Sequence, residues 1–448
     1  FLYPYATTAL FPDSGILYRF WTPHSHADLD AAREAANKKK TAVEVVTATG
    51  HRCFLSFALS DPPEVSYLDL EWPREGSVEP VAPSRLPAYP YVRATDEDLV
   101  LFEINIPRQL HDLPSDLFVY TAGRTPSVDQ LPLYTEPMVS PFLMSKFDTG
   151  ILRLPDNSYI VSDLNVYPKK EGTGNNSMCA ELCVFNSNTR AWSFFSKDAP
   201  QPQDQSNGQF PTLWSTDHVL AFDSRFLCWV DYFSGVLLCD FSKNMDAPSL
   251  CFVPFPGGKE YRGKVRVERY FPDRFRSVSI SQGKMRFVHI DNDFHETIED
   301  DWPWRQLPER RSQGRQHQGS QKITIWTLNS DKFKWEQHGV INLDCLWAQR
   351  GYQDLGIGRC LPEFPVICAE DPDALCCLLR DEAQLSGQPW MIMVDMNHAD
   401  LQSCTDVNVE DKFSNTTQLS TVFSKYYLER PTASQKAKKK RKRKATDN

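Results

Sequence analysis

The feature that most constrains the fold is a unit of two consecutive hairpins that recurs along the chain. In its first clear copy, a tight hairpin over residues 151–161 precedes an aromatic-rich hairpin over residues 181–195. Four such copies lie between Ile151 and Cys404, and one or two weaker copies lie before Tyr134. Because four strands per unit, repeated in order around a ring, build a β-propeller, the repeat predicts an all-β, propeller-like array.

One part of the unit is repeated almost literally. Asn186-Ser-Asn188 precedes Trp192, and Asn329-Ser-Asp331 precedes Trp335 at the same spacing. Asn and Asp side chains hydrogen-bond their own backbone and tolerate left-handed torsion angles, so each of these segments predicts a hairpin turn. The tryptophan then closes the hairpin with a large apolar face. We therefore expect Trp192 and Trp335 to occupy equivalent places in two units.

The composition agrees with an all-β fold. The chain has 448 residues, of which 41% are hydrophobic, so it can bury a large core. Its 32 prolines and 20 glycines suit short strands joined by many turns. A β-sandwich with insertions is the alternative, but the ordered recurrence of two-hairpin units favours the propeller. Since all-β architectures run long as single domains, we expect one domain over residues 1–430.

Three segments stand apart from the repeated hairpins. Residues 27–40 are rich in strong helix formers and predict one short surface helix near the N-terminus. Residues 296–321 are polar, and we expect them to form a long mobile loop inserted between two strands. Residues 421–428 are predicted to form a strand that closes the ring against an N-terminal strand, because an open array leaves an exposed edge.

Residues 431–448 differ in charge from the rest of the chain. They carry eight basic residues and one acid, which leaves 41 basic against 57 acidic residues, a formal charge of −16, elsewhere. Because like charges without an apolar face do not fold, the sequence predicts a disordered tail. Such a run matches an extended ligand of a nuclear import receptor or a nucleic-acid patch. The run comprises Lys438, Lys439, Lys440, Arg441, Lys442, Arg443 and Lys444.

The twelve cysteines predict packing rather than disulfide or metal chemistry. Several lie in apolar runs, such as Cys228 before Trp229 and Cys239 after Leu238. Cysteine packs as a small hydrophobic residue in such settings. The cysteine spacings do not match a zinc site. The longest apolar runs are also too short to cross a membrane, which excludes a membrane-spanning helix from the interpretation.

Short motifs that could carry chemistry are incomplete. Asp291-Asn-Asp293 with His295 lacks the glycine and distal glutamate of a calcium loop, and His24-Ser-His26 has no third ligand in register. Gly257-Gly258-Lys259 has no glycine four residues earlier, as a phosphate loop requires. The adjacent Cys376 and Cys377 point to opposite faces of a strand and are expected in the core. The sequence predicts no catalytic, cofactor-binding or metal-binding residue.

A resemblance to a known family comes from the middle of the chain. Residues 229–240, which begin Trp229-Val-Asp-Tyr232, and residues 250–256 resemble the core of DUF1618, a plant domain of unknown function that is abundant in grasses. Met285-Arg-Phe-Val288 fits the same pattern. The family-like core covers about residues 226–380. The resemblance implies a fold similar to the propeller-like domains that accompany plant F-boxes, and the family has no established catalytic residues to carry over.

These observations lead to a functional hypothesis. We expect a protein-interaction or scaffold module of a plant, in the nucleus if the tail engages an import receptor and otherwise in the cytoplasm. Its protein partner is unknown. Weak nucleic-acid binding through the tail is one alternative, although the acidic body opposes docking onto phosphate backbones. A propeller-type hydrolase is a second alternative, because fold does not decide function. The sequence indicates no enzyme, no cofactor and no membrane partner.

Overall fold

A computed structural model describes the chain in a series of segments. All structural statements below concern those segments. The predicted loop over residues 296–321, except Gln321, and the predicted tail over residues 431–448 lie outside them. The described residues are 16–18, 24–26, 28–48, 50–59, 66–73, 89–105, 116–132, 148–169, 178–200, 210–211, 213–242, 248–256, 272–291, 321–380, 389–406 and 421–427.

The first sheet, sheet I, has five strands and contains both parallel and antiparallel pairs. Its three long strands form an antiparallel meander, as the alternating apolar pattern of residues 41–70 predicts. Two short N-terminal strands pair parallel to the last strand of that meander, which the sequence did not predict. The strands are β1 (Ile16–Tyr18), β2 (His24–His26), β3 (Val43–Val46), β4 (Arg52–Ala58) and β5 (Ser66–Pro73).

The helix predicted near the N-terminus is present as α1 (Leu29–Asn37) and packs against sheet I. The Asp28 carboxylate accepts a hydrogen bond from the Ala31 backbone N–H at 2.8 Å and caps the first turn. Ala32 and Ala36 share one face of the helix and are buried against Phe54 of β4. The small alanine side chains therefore let the helix lie close to the sheet.

The other five sheets share one plan, in which four consecutive strands pair antiparallel in chain order. Sheet II contains β6 (Tyr89–Asp96), β7 (Leu99–Asn105), β8 (Asp116–Thr121) and β9 (Ser127–Gln130). Sheet III contains β10 (Thr149–Arg153), β11 (Tyr159–Pro168), β12 (Met178–Asn186) and β13 (Ala191–Asp198). Sheet IV contains β14 (His218–Phe222), β15 (Phe226–Asp231), β16 (Gly235–Asp240) and β17 (Ser249–Pro254). Sheet V contains β18 (Arg276–Ser281), β19 (Lys284–Ile290), β20 (Lys322–Asn329) and β21 (Lys334–Asn342). Sheet VI contains β22 (Glu363–Ile367), β23 (Ala374–Leu379), β24 (Trp390–Asp395) and β25 (Asp400–Asp406).

Each sheet packs on the next one through a separate apolar core. In sheet IV, Trp229 and Leu237 pack with sheet III, whereas Cys228 and Leu238, one residue away on the same strands, pack with sheet V. Alternate residues of a strand point to opposite faces, so both faces of sheet IV are buried. Similar cores join sheets I and II, II and III, and V and VI. This serial packing is propeller-like, and it contradicts the alternative of a two-layer β-sandwich.

The prediction of a closing strand over residues 421–428 is wrong. Phe423–Tyr426 form a single 3-10 turn instead. Phe423 is fully buried, and its ring lies between Phe57 of sheet I and Tyr120 of sheet II. The Tyr427 hydroxyl lies 2.5 Å from that of Tyr120. The C-terminal segment therefore contacts the N-terminal sheets through aromatic side chains rather than backbone pairing.

Two short helices after sheet V were not predicted. They are α2 (Leu343–Ala348) and α3 (Arg350–Gln353), and they bury Leu346, Trp347 and Tyr352 in the core between sheets V and VI. The Asn342 side chain caps α2 by accepting from the Asp344 backbone N–H. Among the described residues, no helix has the length and apolar character needed to cross a membrane.

Candidate interaction face

The two ends of the sheets differ in how the strands are connected. At the end we call the short-turn end, the first strand of each of sheets II to VI turns into the second, and the third turns into the fourth. Most of these turns are tight and use left-handed backbone angles, as at Glu97 (φ 48°), Asp223 (φ 58°) and Gly283 (φ 71°). The connection between Asp240 and Ser249 is the longer exception.

The opposite end, the long-connection end, carries the links between the second and third strands and between successive sheets. Four of the five links between second and third strands are long, joining Asn105 to Asp116, Pro168 to Met178, Ile290 to Lys322 and Leu379 to Trp390. The link from sheet II to sheet III joins Gln130 to Thr149, and that from sheet IV to sheet V joins Pro254 to Arg276. Most residues of these links lie outside the described segments, so the end is defined here by the strand termini.

One link at the long-connection end is a tight turn between Asp231 and Gly235. The Trp-Val-Asp-Tyr segment leads into it. The Asp231 carboxylate accepts hydrogen bonds from the Phe233 backbone N–H (2.9 Å) and the Ser234 hydroxyl (3.2 Å). Gly235 follows with φ 155°, and a Cβ atom there would lie 2.3 Å from the Val253 carbonyl oxygen. Only glycine fits at this position. The motif residues Asp231 and Gly235 therefore build the turn itself.

The tryptophan of the same segment connects two sheets. Trp229 is fully buried, and its indole Nε1 donates to the Asp148 backbone oxygen at 2.7 Å. Asp148 directly precedes the first strand of sheet III. The hydrogen bond therefore joins sheets III and IV at the long-connection end.

Tyr232 connects sheets IV and V at the same end. Its backbone N–H donates to the Asp217 carboxylate (2.8 Å), and its backbone oxygen accepts from Arg276 Nη1 (2.7 Å). The Tyr232 hydroxyl lies 3.4 Å from Nδ1 of His218. Burial raises the pKa of Tyr232 and lowers the pKa of His218 to about 4. His218 is therefore neutral at neutral pH and acts here as a hydrogen-bonding core residue.

A buried carboxylate connects sheets V and VI. Glu363 begins β22, and its side chain is 4% exposed. Arg274 contacts one carboxylate oxygen, through Nε at 2.7 Å and also through Nη2, while Arg380 contacts the other through Nε (3.1 Å) and Nη2 (2.6 Å). Each carboxylate oxygen of Glu363 therefore accepts two hydrogen bonds from one arginine, and hydrogen bonds between charged groups are stronger than those between neutral groups. Sequence reasoning missed this cluster, because its residues are far apart in the chain and no local motif marks them.

A buried ion pair within sheet II also links that sheet to sheet III by a hydrogen bond. Arg93 donates to Glu103 at 2.5 Å and to the Thr149 hydroxyl at 2.8 Å. The Thr149 hydroxyl in turn donates to Asp163 at 2.8 Å. Hydrogen bonds of this kind thus cross every junction from sheet II to sheet VI. They fix the strand ends from which the long connections begin.

The repeated Asn and Trp residues lie at the short-turn end, away from this face. Asn186 ends β12 and accepts from the Asn188 backbone N–H (2.8 Å), while Asn329 ends β20 and accepts from the Lys332 N–H (3.2 Å). Both side chains therefore organise the turn between the third and fourth strands of their sheets.

The two tryptophans take corresponding positions in sheets III and V. Trp192 pairs with Phe185 in the register of the outer two strands, and Trp335 pairs with Leu328. Each ring packs on the core that its sheet shares with the preceding sheet. Trp192 also donates through Nε1 to the Pro132 oxygen at 2.8 Å. The role of these residues is structural, in holding the outer hairpin to the neighbouring sheet.

The remaining sequence candidates do not assemble a site in the described part of the chain. Asp293, His295 and the run from Lys438 to Lys444 lie outside it, as do the side chains of His24 and His26. Cys376 and Cys377 are both fully buried. None of the twelve cysteines, all of which lie in described segments, forms a disulfide bond, and seven of them are buried. The described residues contain no group of three or more His, Cys, Asp or Glu side chains that could hold a metal ion.

Comparison with known proteins gives a partial family match. The sequence model of DUF1618, a protein family of unknown function, matches residues 229–376. These residues begin at the buried Trp229 and end in β23. No curated protein matches the chain.

Solved structures of low sequence identity are similar to this chain. One is the β-propeller domain of the Trilobed protease from Pyrococcus furiosus, with 10% identity, a TM-score of 0.30, and coverage of 74% of this chain and 76% of that chain. Another is the WD40 domain of SCAP from fission yeast, with 12% identity, a TM-score of 0.30, and coverage of 82% and 76%. A third is fructan 1-exohydrolase IIa from Cichorium intybus, with 10% identity, a TM-score of 0.28, and coverage of 74% and 60%. The assignment of the fold comes from the strand order and packing described above.

Proposed function

We propose that this chain is a non-catalytic protein-interaction module that binds its partner at the long-connection end. The observation that carries the proposal is the difference between the two ends. Tight turns close most strand pairs at the short-turn end, whereas most of the long links, including all four links between sheets II to VI, leave from the other. Loops held by a rigid scaffold are where binding residues concentrate.

The hydrogen bonds between sheets support this assignment. Trp229, Tyr232, Glu363 and Arg93 each form a buried contact across a junction, close to where a long link between sheets joins a strand. Such contacts limit the movement of one sheet against the next. A partner then meets connections whose anchor points are already in place, which lowers the entropic cost of binding.

We further propose that the tail directs the module to the nucleus, and that the module acts in a plant, as its likeness to DUF1618 implies. The run from Lys438 to Lys444 supplies seven consecutive cations, the pattern that an import receptor binds as an extended segment. The acidic body disfavours a direct contact between the folded part and a nucleic-acid backbone. We therefore assign the tail to import rather than to nucleic-acid binding.

Capture of partners from a nuclear extract by matched variants tests the proposed interaction face. The first variant lacks residues 431–448, the second has residues 381–388 replaced by a Gly-Ser linker of equal length, and the control carries Lys332→Ser in a short turn. We expect the same partners on the wild type, the tail deletion and the control, and their loss from the linker variant. Partners that survive the linker replacement but require the short turn would contradict the assignment of the face.

The tail is tested separately with a fluorescent reporter. Fusion to residues 431–448 is expected to concentrate the reporter in the nucleus, and replacement of Lys438 to Lys444 by alanine is expected to remove that effect. A reporter that stays cytoplasmic with the basic run intact would contradict the import proposal.

A further inference from the structure

The face of sheet V that packs on sheet VI changes from apolar to polar along β19. Val288 and Ile290 lie in the core between the two sheets, near the long-connection end. Arg286 lies two residues earlier on the same face, because alternate strand residues share a face. Its register partners are Ser279 on β18 and Thr327 on β20. A row of polar side chains therefore crosses the sheet at this level, towards the short-turn end.

Arg286 is buried, and two of its three guanidinium nitrogens have no hydrogen-bond partner among the described residues. The residue is 5% exposed. Its Nε and Nη1 atoms are inaccessible to solvent and have no hydrogen-bond partner among the described residues. The hydroxyl of Thr327, directly opposite in the register, is likewise buried and without a partner there. An unpaired buried donor costs free energy, and the cost is larger for a charged group. The pair therefore offers three unused polar atoms at one place.

Burial and one nearby carboxylate act on the pKa of Arg286 in opposite directions. Arg286 has no ion pair in the described part of the chain, although Asp373, in the turn before β23 of sheet VI, favours its charged form. Burial is the larger effect and lowers the pKa of Arg286. The pKa of His338 on β21 is lowered by its partial burial and by Arg286 and Lys284, with Asp373 opposing.

We infer that Arg286 and Thr327 bind a small oxyanion, of the phosphate or carboxylate class, at the junction between sheets V and VI. An oxyanion would accept from the unused guanidinium N–H groups and from the threonine hydroxyl, and it would balance the buried positive charge. The site lies towards the short-turn end. It is therefore separate from the proposed interaction face and does not depend on that proposal.

Isothermal titration of the full chain tests the inference, with inorganic phosphate and acetate as probes in sodium chloride of matched ionic strength. We expect the wild type to bind one of the two, and the preferred probe identifies the class. Arg286→Gln is expected to weaken that binding about 10- to 100-fold, since hydrogen bonds to charged groups contribute about 1.5–3 kcal/mol. Thr327→Val keeps the charge and is expected to weaken binding about 10-fold.

The control is Arg350→Gln, because the Arg350 side chain is 94% exposed. It should bind the probe like the wild type. If Arg286→Gln does not fold, Thr327→Val remains as a test of the same site. A wild type that binds neither probe would overturn the inference. So would an Arg286→Gln or a Thr327→Val variant that binds as tightly as the wild type.

Discussion

The ring of Phe423 lies 4.8 Å from the ring of Phe57, so the C-terminal segment is inserted into the core of the first two sheets. The contact brings together residues that are far apart in the chain. Because the segment contributes a buried aromatic side chain and no strand pairing, its contribution to stability depends on a few residues.

Truncation of that side chain should destabilise the fold. Phe423→Ala is expected to cost about 3–5 kcal/mol, the usual cost of removing a fully buried phenylalanine ring. Thermal denaturation followed by circular dichroism measures the loss. Phe194→Ala is the control, because Phe194 is 37% exposed and its truncation should change stability little. Equal melting temperatures for Phe423→Ala and the wild type would show that the C-terminal segment does not hold the first two sheets.

The contribution of the indole hydrogen bond between sheets III and IV to stability can be tested by replacing either of two tryptophans with phenylalanine. Trp229→Phe keeps an aromatic ring but removes the indole hydrogen bond to the Asp148 oxygen and leaves a small cavity, and is expected to cost about 1–3 kcal/mol. Trp192→Phe removes a similar hydrogen bond at a partly exposed site and should cost less. Urea unfolding compares the two variants. A larger loss for Trp192→Phe would argue against the buried contact of Trp229 as a stabilising link.

The Glu363 cluster predicts a large effect from one substitution. Glu363→Gln leaves two partly buried arginines without their carboxylate, and is expected to cost about 3–5 kcal/mol. The matched control is Asp344→Asn, which removes an ion pair to Arg359, a residue whose side chain is 74% exposed. Such exposed pairs contribute about 0–1 kcal/mol. If both variants lose the same stability in urea unfolding, the buried cluster does not have the importance assigned to it.

His218 predicts a pH dependence with a defined direction. An unfolded histidine takes up its proton near pH 6.5, whereas burial lowers the pKa of His218 to about 4. Between these values the unfolded state binds more protons, so the free energy of unfolding falls as pH drops from about 6.5 to about 4. The loss should be on the order of 1–3 kcal/mol.

His218→Gln should remove this contribution, so its melting temperature should fall less than that of the wild type between pH 7 and pH 5. His398→Gln is the control, because the His398 side chain is 71% exposed. The measurement is the melting temperature of the wild type and of both variants across this pH range. A pH profile of His218→Gln that is identical to the wild-type profile would contradict the prediction.

The strands of sheets III to VI could be predicted from the sequence, because each hairpin is a local pattern of apolar alternation and turn residues, whereas sheet II was predicted only as a weaker copy. Asn186 and Asn329, for example, mark the turns that the structure contains. The 3-10 turn at Phe423 was predicted as a strand, since aromatic residues favour strands and its buried position depends on distant sheets. The short parallel strands β1 and β2 were missed because their pairing with β5 is not local in the chain.

The contacts of the candidate face could be predicted only in part. The Trp229–Gly235 segment is contiguous and could be identified as distinctive, although its role in the turn and the junction needed the structure. The partners of Glu363 could not be found, because Arg274 and Arg380 approach it only after sheets V and VI have packed. Long-range ion pairs leave no periodic signal in a single sequence.

Hydrogen–deuterium exchange with a captured partner tests the central claim most directly. In the presence of the partner, exchange should slow at backbone amides of the long-connection end, including those of Phe233, Ser234 and Arg380. Exchange should be unchanged at the short-turn end, as at Asn188 and Gln282. Protection confined to the short-turn end would contradict the claim that this chain binds its partner through the long-connection end.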